Sequence, residues 1–144
     1  MMKPGIYGAI GVALGLVWAA PPVAADFAAG QQAFEASDYK AAHAEWTDAA
    51  VSGDVRAQYE LGLMLANGVG VQRDVISGYA WLMLAHHGGV SEAKPKFDAL
   101  QKDYIPRHCH FAALALVREY ETGHPEKLAA GGHQKSRCWN FRQY

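Results

Sequence analysis

Cysteine is scarce in this chain, with only Cys109 and Cys138 among 144 residues. So low a count excludes a scaffold in which dense cross-links replace a core, and leaves room for one pair. Runs of β-branched residues are almost absent, which removes the usual signal for a sheet. Positive charge is not in surplus either, with 13 Lys and Arg against 14 Asp and Glu, which argues against nucleic acid as a partner. No serine motif of a hydrolase stands anywhere in the chain. The length suits one domain, because two cores of half this size would each be marginal.

The first 25 residues differ from the rest. Lys3 precedes an apolar run from Ile6 to Ala20, and Pro21-Pro22-Val23-Ala24-Ala25 follows it. A basic end, an apolar stretch and small residues at Val23 and Ala25 form the pattern of a secretory signal peptide, residues 1–25, cut between Ala25 and Asp26. The run contains Gly8, Gly11 and Gly15 and is shorter than the roughly 20 residues that a bilayer needs, so cleavage is expected rather than anchoring. No cysteine follows it to carry a lipid. Without Lys3 the chain keeps 12 basic and 14 acidic residues, a net charge of about −2. An acidic start, from Asp26 to Glu60, contrasts with a basic end after Glu126. Export to the periplasm or the exterior brings an oxidising compartment, where a Cys109–Cys138 disulfide is expected.

From Ala28 onward Ala, Leu and aromatics follow helical spacing. Tyr39, Ala42, Trp46, Ala49, Ala50 and Gly53 form one stripe that Asp38 can cap, and Ala57, Leu61, Met64 and Leu65 form a second that stops at Asn67-Gly68-Val69-Gly70. A third starts after Asp74 with Gly78, Trp81, Leu82 and Ala85, and stops at Gly88-Gly89. Ser91 is the expected cap of a helix through Phe97 and Leu100, and Pro106 suits the first turn of one running past Phe111 to Tyr120. After Thr122-Gly123 the chain reads as a tail. Six helices in three antiparallel pairs, residues 26–123, with residues 124–144 as a tail or cap, is the expected organisation.

An offset of 36 residues sets Asp38 over Asp74, Ala42 over Gly78, Trp46 over Leu82, Ala49 over Ala85, Gly53 over Gly89 and Ala57 over Ala93. Self-matching at such a period is the mark of a stacked helix-pair array. The run Ala57-Gln58-Tyr59-Glu60-Leu61-Gly62, then Asn67-Gly68-Val69-Gly70-Val71, Asp74, Trp81, Ala85 and Gly89, resembles the Sel-one-like repeat, a relative of the tetratricopeptide repeat. The likeness spans Asp38 to Ala93 and fades over Lys94 to Glu121. It implies an all-α, short α-solenoid, a role in recognising another protein in a bacterial envelope, and no shared catalytic residue or cofactor. Gly78 stands where the family usually has Ala, and His86 where a second Ala is common, and both changes are expected to loosen local packing. Gly62 inside a helix costs about 1 kcal/mol relative to Ala, so its place in the pattern implies a close helix contact.

Other chemistry is weaker in the residues. His86-His87 and His108-Cys109-His110 suggest a metal, but adjacent helical residues point about 100° apart and useful ligand pairs sit three or four apart. A Cys109 nucleophile lacks an orienting third group. Trp46 and Trp81 lie on Ala- and Leu-rich stripes, as core residues do. Lys135, Arg137, Trp139, Phe141, Arg142 and Tyr144 in the tail suit a cap over the last unit or a grip on an anionic polymer or acidic face. The expected contact stripe is Arg56, Tyr59 and Leu63, one face of the first helix in a pair, beside Ala57, Leu61 and Leu65 buried under it. The competing reading is an envelope enzyme acting on cell-wall or β-lactam-like molecules.

Overall fold

The computed structural model describes residues 27–129, apart from the side chain of His108. Residues 1–25, expected as a signal peptide, and the tail beyond Ala129, with Cys138 and its basic and aromatic residues, lie outside the described residues. Within them the chain is all-helical: α1 Phe27–Glu35, α2 Tyr39–Val51, α3 Val55–Asn67, α4 Val75–His87, α5 Ala93–Asp103, α6 Arg107–Glu121 and α7 Pro125–Ala129.

Helix α4 is the centre. Every residue from Ile76 to Ala85 is buried, because the segment is apolar on all sides and a helix of that kind is stable only when covered all round. Helices α3, α5 and α6 all pack on it. Its neighbours are two-faced by comparison. In α2 the buried residues are Ala42, Trp46, Ala49 and Ala50, the stripe read from the sequence.

The 36-residue offset is present in the backbone. Helices α2 and α4 are each 13 residues long with starts and ends 36 apart. Asp38 caps α2 by accepting from the Ala41 amide, and Asp74 caps α4 by accepting from the Ser77 amide. Both helices close through the same pair of reverse bonds, Gly53 N–H to Ala50 O with Asp54 N–H to Ala49 O, and Gly89 N–H to His86 O with Val90 N–H to Ala85 O. Helix α6 repeats this closure with Gly123 N–H to Tyr120 O and His124 N–H to Glu119 O, and α1 repeats it with Ser37 N–H to Phe34 O and Asp38 N–H to Ala33 O. The closure puts one residue in the left-handed region, a glycine in three cases and Ser37 at φ 63° in the fourth.

A glycine contact holds each of the first two pairs together. A Cβ on Gly30 of α1 would collide with the Trp46 indole of α2, and a Cβ on Gly62 of α3 would come within 2.8 Å of Leu82 Cγ on α4. The offset superposes Trp46 on Leu82, while Gly30 falls over Ala66, one turn beyond Gly62. Gly62 is buried, as expected. Gly78 corrects the expectation of looser packing, since a Cβ there would sit 2.8 Å from both the Ala66 nitrogen and the Gly62 carbonyl oxygen. Its missing side chain brings α3 and α4 closer together.

Four further differences from the sequence reading have local causes. A seventh helix, α7, begins where a tail was expected, and buried Leu128 pins it to the core. Helices α5 and α6 each pack on α4 more than on each other, because the apolar surface of α4 is the larger attraction. Ser91 does not cap α5: Glu92 holds the N-cap position without a side-chain bond, and the Ser91 hydroxyl donates to its carboxylate at 3.2 Å. Pro106 is the N-cap of α6, one place ahead of the first turn.

Candidate functional site

Helix α3 begins at Asp54, whose carboxylate accepts from the Arg56 and Ala57 amides at 2.9 and 3.4 Å. The same carboxylate takes the Arg56 guanidinium, Nε at 3.3 Å and NH2 at 2.9 Å. The Arg56 hydrogen bond is the main reason that the Asp54 carboxyl is held below its ordinary range, with the backbone amides and the Arg56 charge adding to it. On its other side the guanidinium stacks over the Phe27 ring, 4.6 Å from the centroid. Arg56 is therefore held in place while 64% of its side chain stays exposed.

Phe27 was not singled out in the sequence, where nothing in the spacing marks it. It stacks on Trp46 with ring centroids 6.3 Å apart, and its carbonyl accepts from Trp46 Nε1 at 3.3 Å. The start of α1 is thus tied to α2 and supplies the platform under Arg56.

Tyr59 and Leu63, the other two residues of the expected stripe, are half-buried and packed against the core. Burial, with the charges of Glu60 and Glu92, pushes the Tyr59 hydroxyl up. Ala57 and Leu61 lie buried beneath the stripe as expected, but Leu65 is only half-buried, and Met64 and Ala66 are buried in its place. Glu60 next to Tyr59 is half-buried too, and burial raises its carboxyl. The stripe is one surface, with Arg56 its exposed member.

Gln58 and Tyr120, which the sequence reading did not connect, form a polar knot behind this surface. Gln58 Nε2 donates to Ala50 O at 3.2 Å and to the Tyr120 hydroxyl at 2.9 Å, and that hydroxyl donates to Ala50 O at 3.0 Å. Three helices, α2, α3 and α6, meet through one carbonyl. No sequence pattern joins residues 70 apart.

Among the described residues no group of three or more His, Cys, Asp or Glu could hold a metal ion. His86 packs against Phe97 with centroids 5.7 Å apart, while exposed His87 pairs with Glu121 at 3.6 Å. His110 lies edge-on to Tyr79. Cys109 is fully buried on α6, and Cys138, its expected partner, lies outside the described residues. Trp81 is a core residue, 0% exposed, against Tyr120. No described helix is long and apolar enough to cross a membrane. In comparisons with family models, curated proteins and solved structures, nothing matches this chain.

Proposed function

We propose that this chain is an exported protein-recognition module of the bacterial envelope, a short α-solenoid of Sel-one-like units closed at its end by residues 124–144. The observation that carries the reading is the repeated helix: α2 and α4 are each 13 residues long, capped by Asp38 and Asp74 and closed through Gly53 and Gly89, all at positions that the 36-residue offset superposes. Units that repeat in length, cap and closure stack in register, and stacking presents the same face of successive helices to a partner. The partner is another protein, and no cofactor enters this reading.

Arg56, Tyr59 and Leu63 carry the contact. An arginine braced by a carboxylate and an aromatic ring loses little freedom on binding, and arginine and tyrosine dominate interface energies. The signal-peptide pattern of residues 1–25 supports a periplasmic or secreted location, and that compartment supports the Cys109–Cys138 bond.

The test places a photo-crosslinking residue at Leu63 in the intact exporting cell and identifies the adduct. One defined protein adduct is expected, and it should be lost in Arg56→Gln combined with Tyr59→Ser. Because Tyr59 is half-buried, the thermal midpoint is measured alongside, and Arg56→Gln alone, at an exposed position, serves as the second variant. An adduct of full strength in both folded variants rejects the stripe and moves the search to the basic aromatic tail from Lys135 to Tyr144.

A further inference from the structure

The joint between α5 and α6 holds an open cavity of about 600 Å³, far from the Arg56 stripe in sequence. That volume falls in the range of small-molecule sites. Ile105 and Pro106 line it at the turn, α5 contributes Asp98, Gln101 and Lys102, and α6 contributes Arg107 and His110.

Its charges are unevenly spent. Asp98 is taken by Lys94 at 2.7 Å. Lys102 and Arg107 form no ion pair among the described residues and are both exposed. Among the described residues, two cations without an ion pair therefore face one cavity whose one lining carboxylate is already taken by Lys94. Helix α6, 15 residues long, starts at the same place from Pro106 with no side-chain cap, so the positive end of its dipole adds to the field. His110 also lines the cavity, and among the described residues its buried Nδ1 has no hydrogen-bond partner.

We propose that this cavity binds a small organic molecule bearing an oxyanion, a phosphate ester or a polycarboxylate, held by Lys102 and Arg107. Arg107 offers the planar fork that matches either group, and Lys102 a point charge. The cavity exceeds a bare inorganic anion, so the ligand's body rests on Ile105 and Pro106 within reach of the Gln101 amide. The site is independent of the protein-recognition stripe on α3.

Calorimetric titration of the full chain at low ionic strength with inorganic phosphate, glycerol 3-phosphate and citrate tests this. Saturable binding of at least one organic oxyanion is expected, weakened about tenfold by Lys102→Gln and again by Arg107→Gln, as loss of a charge-assisted hydrogen bond predicts. Added salt should weaken it further. Lys40→Gln, which removes an exposed lysine on α2, should leave it unchanged. A preference for glycerol 3-phosphate identifies a phosphate ester as the ligand class, and a preference for citrate a polycarboxylate. Absence of saturation with all three probes overturns the proposal. So does binding that survives both joint substitutions in a folded protein, or that Lys40→Gln weakens equally.

Discussion

Gly62 and Gly78 face each other across the α3–α4 contact: a Cβ built on Gly78 lies 2.8 Å from the Gly62 carbonyl oxygen, and one built on Gly62 lies 3.1 Å from the Gly78 carbonyl oxygen. Backbone meets backbone there, and the side-chain atoms also in the way, Leu82 Cγ at 2.8 Å from a Cβ on Gly62 and Ala66 Cβ at 2.9 Å from one on Gly78, sit close to their own backbones and have little room to move aside. Gly78→Ala gains about 1 kcal/mol in helix propensity, but overpacking of this kind costs about 1–3 kcal/mol. The expected result is a lower thermal midpoint for Gly78→Ala and a larger fall for Gly62→Leu. A midpoint at or above wild type in both would show that the two helices separate freely.

Ser37 offers the opposite change. It occupies the left-handed position that Gly53, Gly89 and Gly123 fill in the other three closures of this type. A side chain there costs roughly 1–2 kcal/mol, part of which glycine returns as added freedom of the unfolded chain. Ser37→Gly should stabilise by about 0.5–1 kcal/mol, measured by denaturant midpoint at constant slope.

The Gln58–Tyr120 knot predicts coupling at long range. Tyr120→Phe removes the hydroxyl but leaves Gln58 bonded to Ala50 O, so it should cost about 0.5–1.5 kcal/mol. Gln58→Leu leaves the hydroxyl bonded to the same carbonyl. In a double-mutant cycle the two changes should fall short of additivity by at least about 0.5 kcal/mol. Full additivity would mean that the hydrogen bond between them contributes nothing.

Glu60 sets a pH dependence. Burial raises its carboxyl in the folded protein, so the folded state binds the proton more tightly than the unfolded one. Its contribution is most favourable below the unfolded carboxylate range and declines as pH rises through the folded value. Glu60→Gln, which keeps the shape without the charge, should raise the thermal midpoint at neutral pH. The gain should vanish on acidification. A gain that is the same at acid and neutral pH would trace to something other than ionisation.

A Cys109–Cys138 bond would close a loop of about 30 residues and, on chain-entropy grounds, stabilise by roughly 3–4 kcal/mol. Alkylation of the unreduced, denatured protein should modify neither cysteine, and the midpoint should drop on reduction. Modification of both without reduction would remove the bond from the account.

How much of this was legible follows from the range of each interaction. Local chemistry was readable: Asp38 and Asp74 cap because a carboxylate before an apolar stripe satisfies free amides, and Gly53, Gly89 and Gly123 stop helices because the closing residue must be left-handed. Periodicity marked Trp46, Leu61 and Trp81 as core, and all three are nearly fully buried. The offset of 36 is a sequence property that the backbone repeats. Contacts between distant segments were beyond reach. That Gly78 tightens its helix pair depends on Gly62 and Ala66 lying opposite it. That Arg56 rests on Phe27, that Tyr120 reaches Ala50, and that Lys102 and Arg107 face one cavity all depend on how helices dock around α4. The sequence by itself determined where α2, α3 and α4 begin, end and turn their apolar faces, since those choices rest on neighbours within a few residues. Only the tertiary structure decided which faces meet, because that choice is made by side-chain shape and by the burial of α4, which no single segment carries.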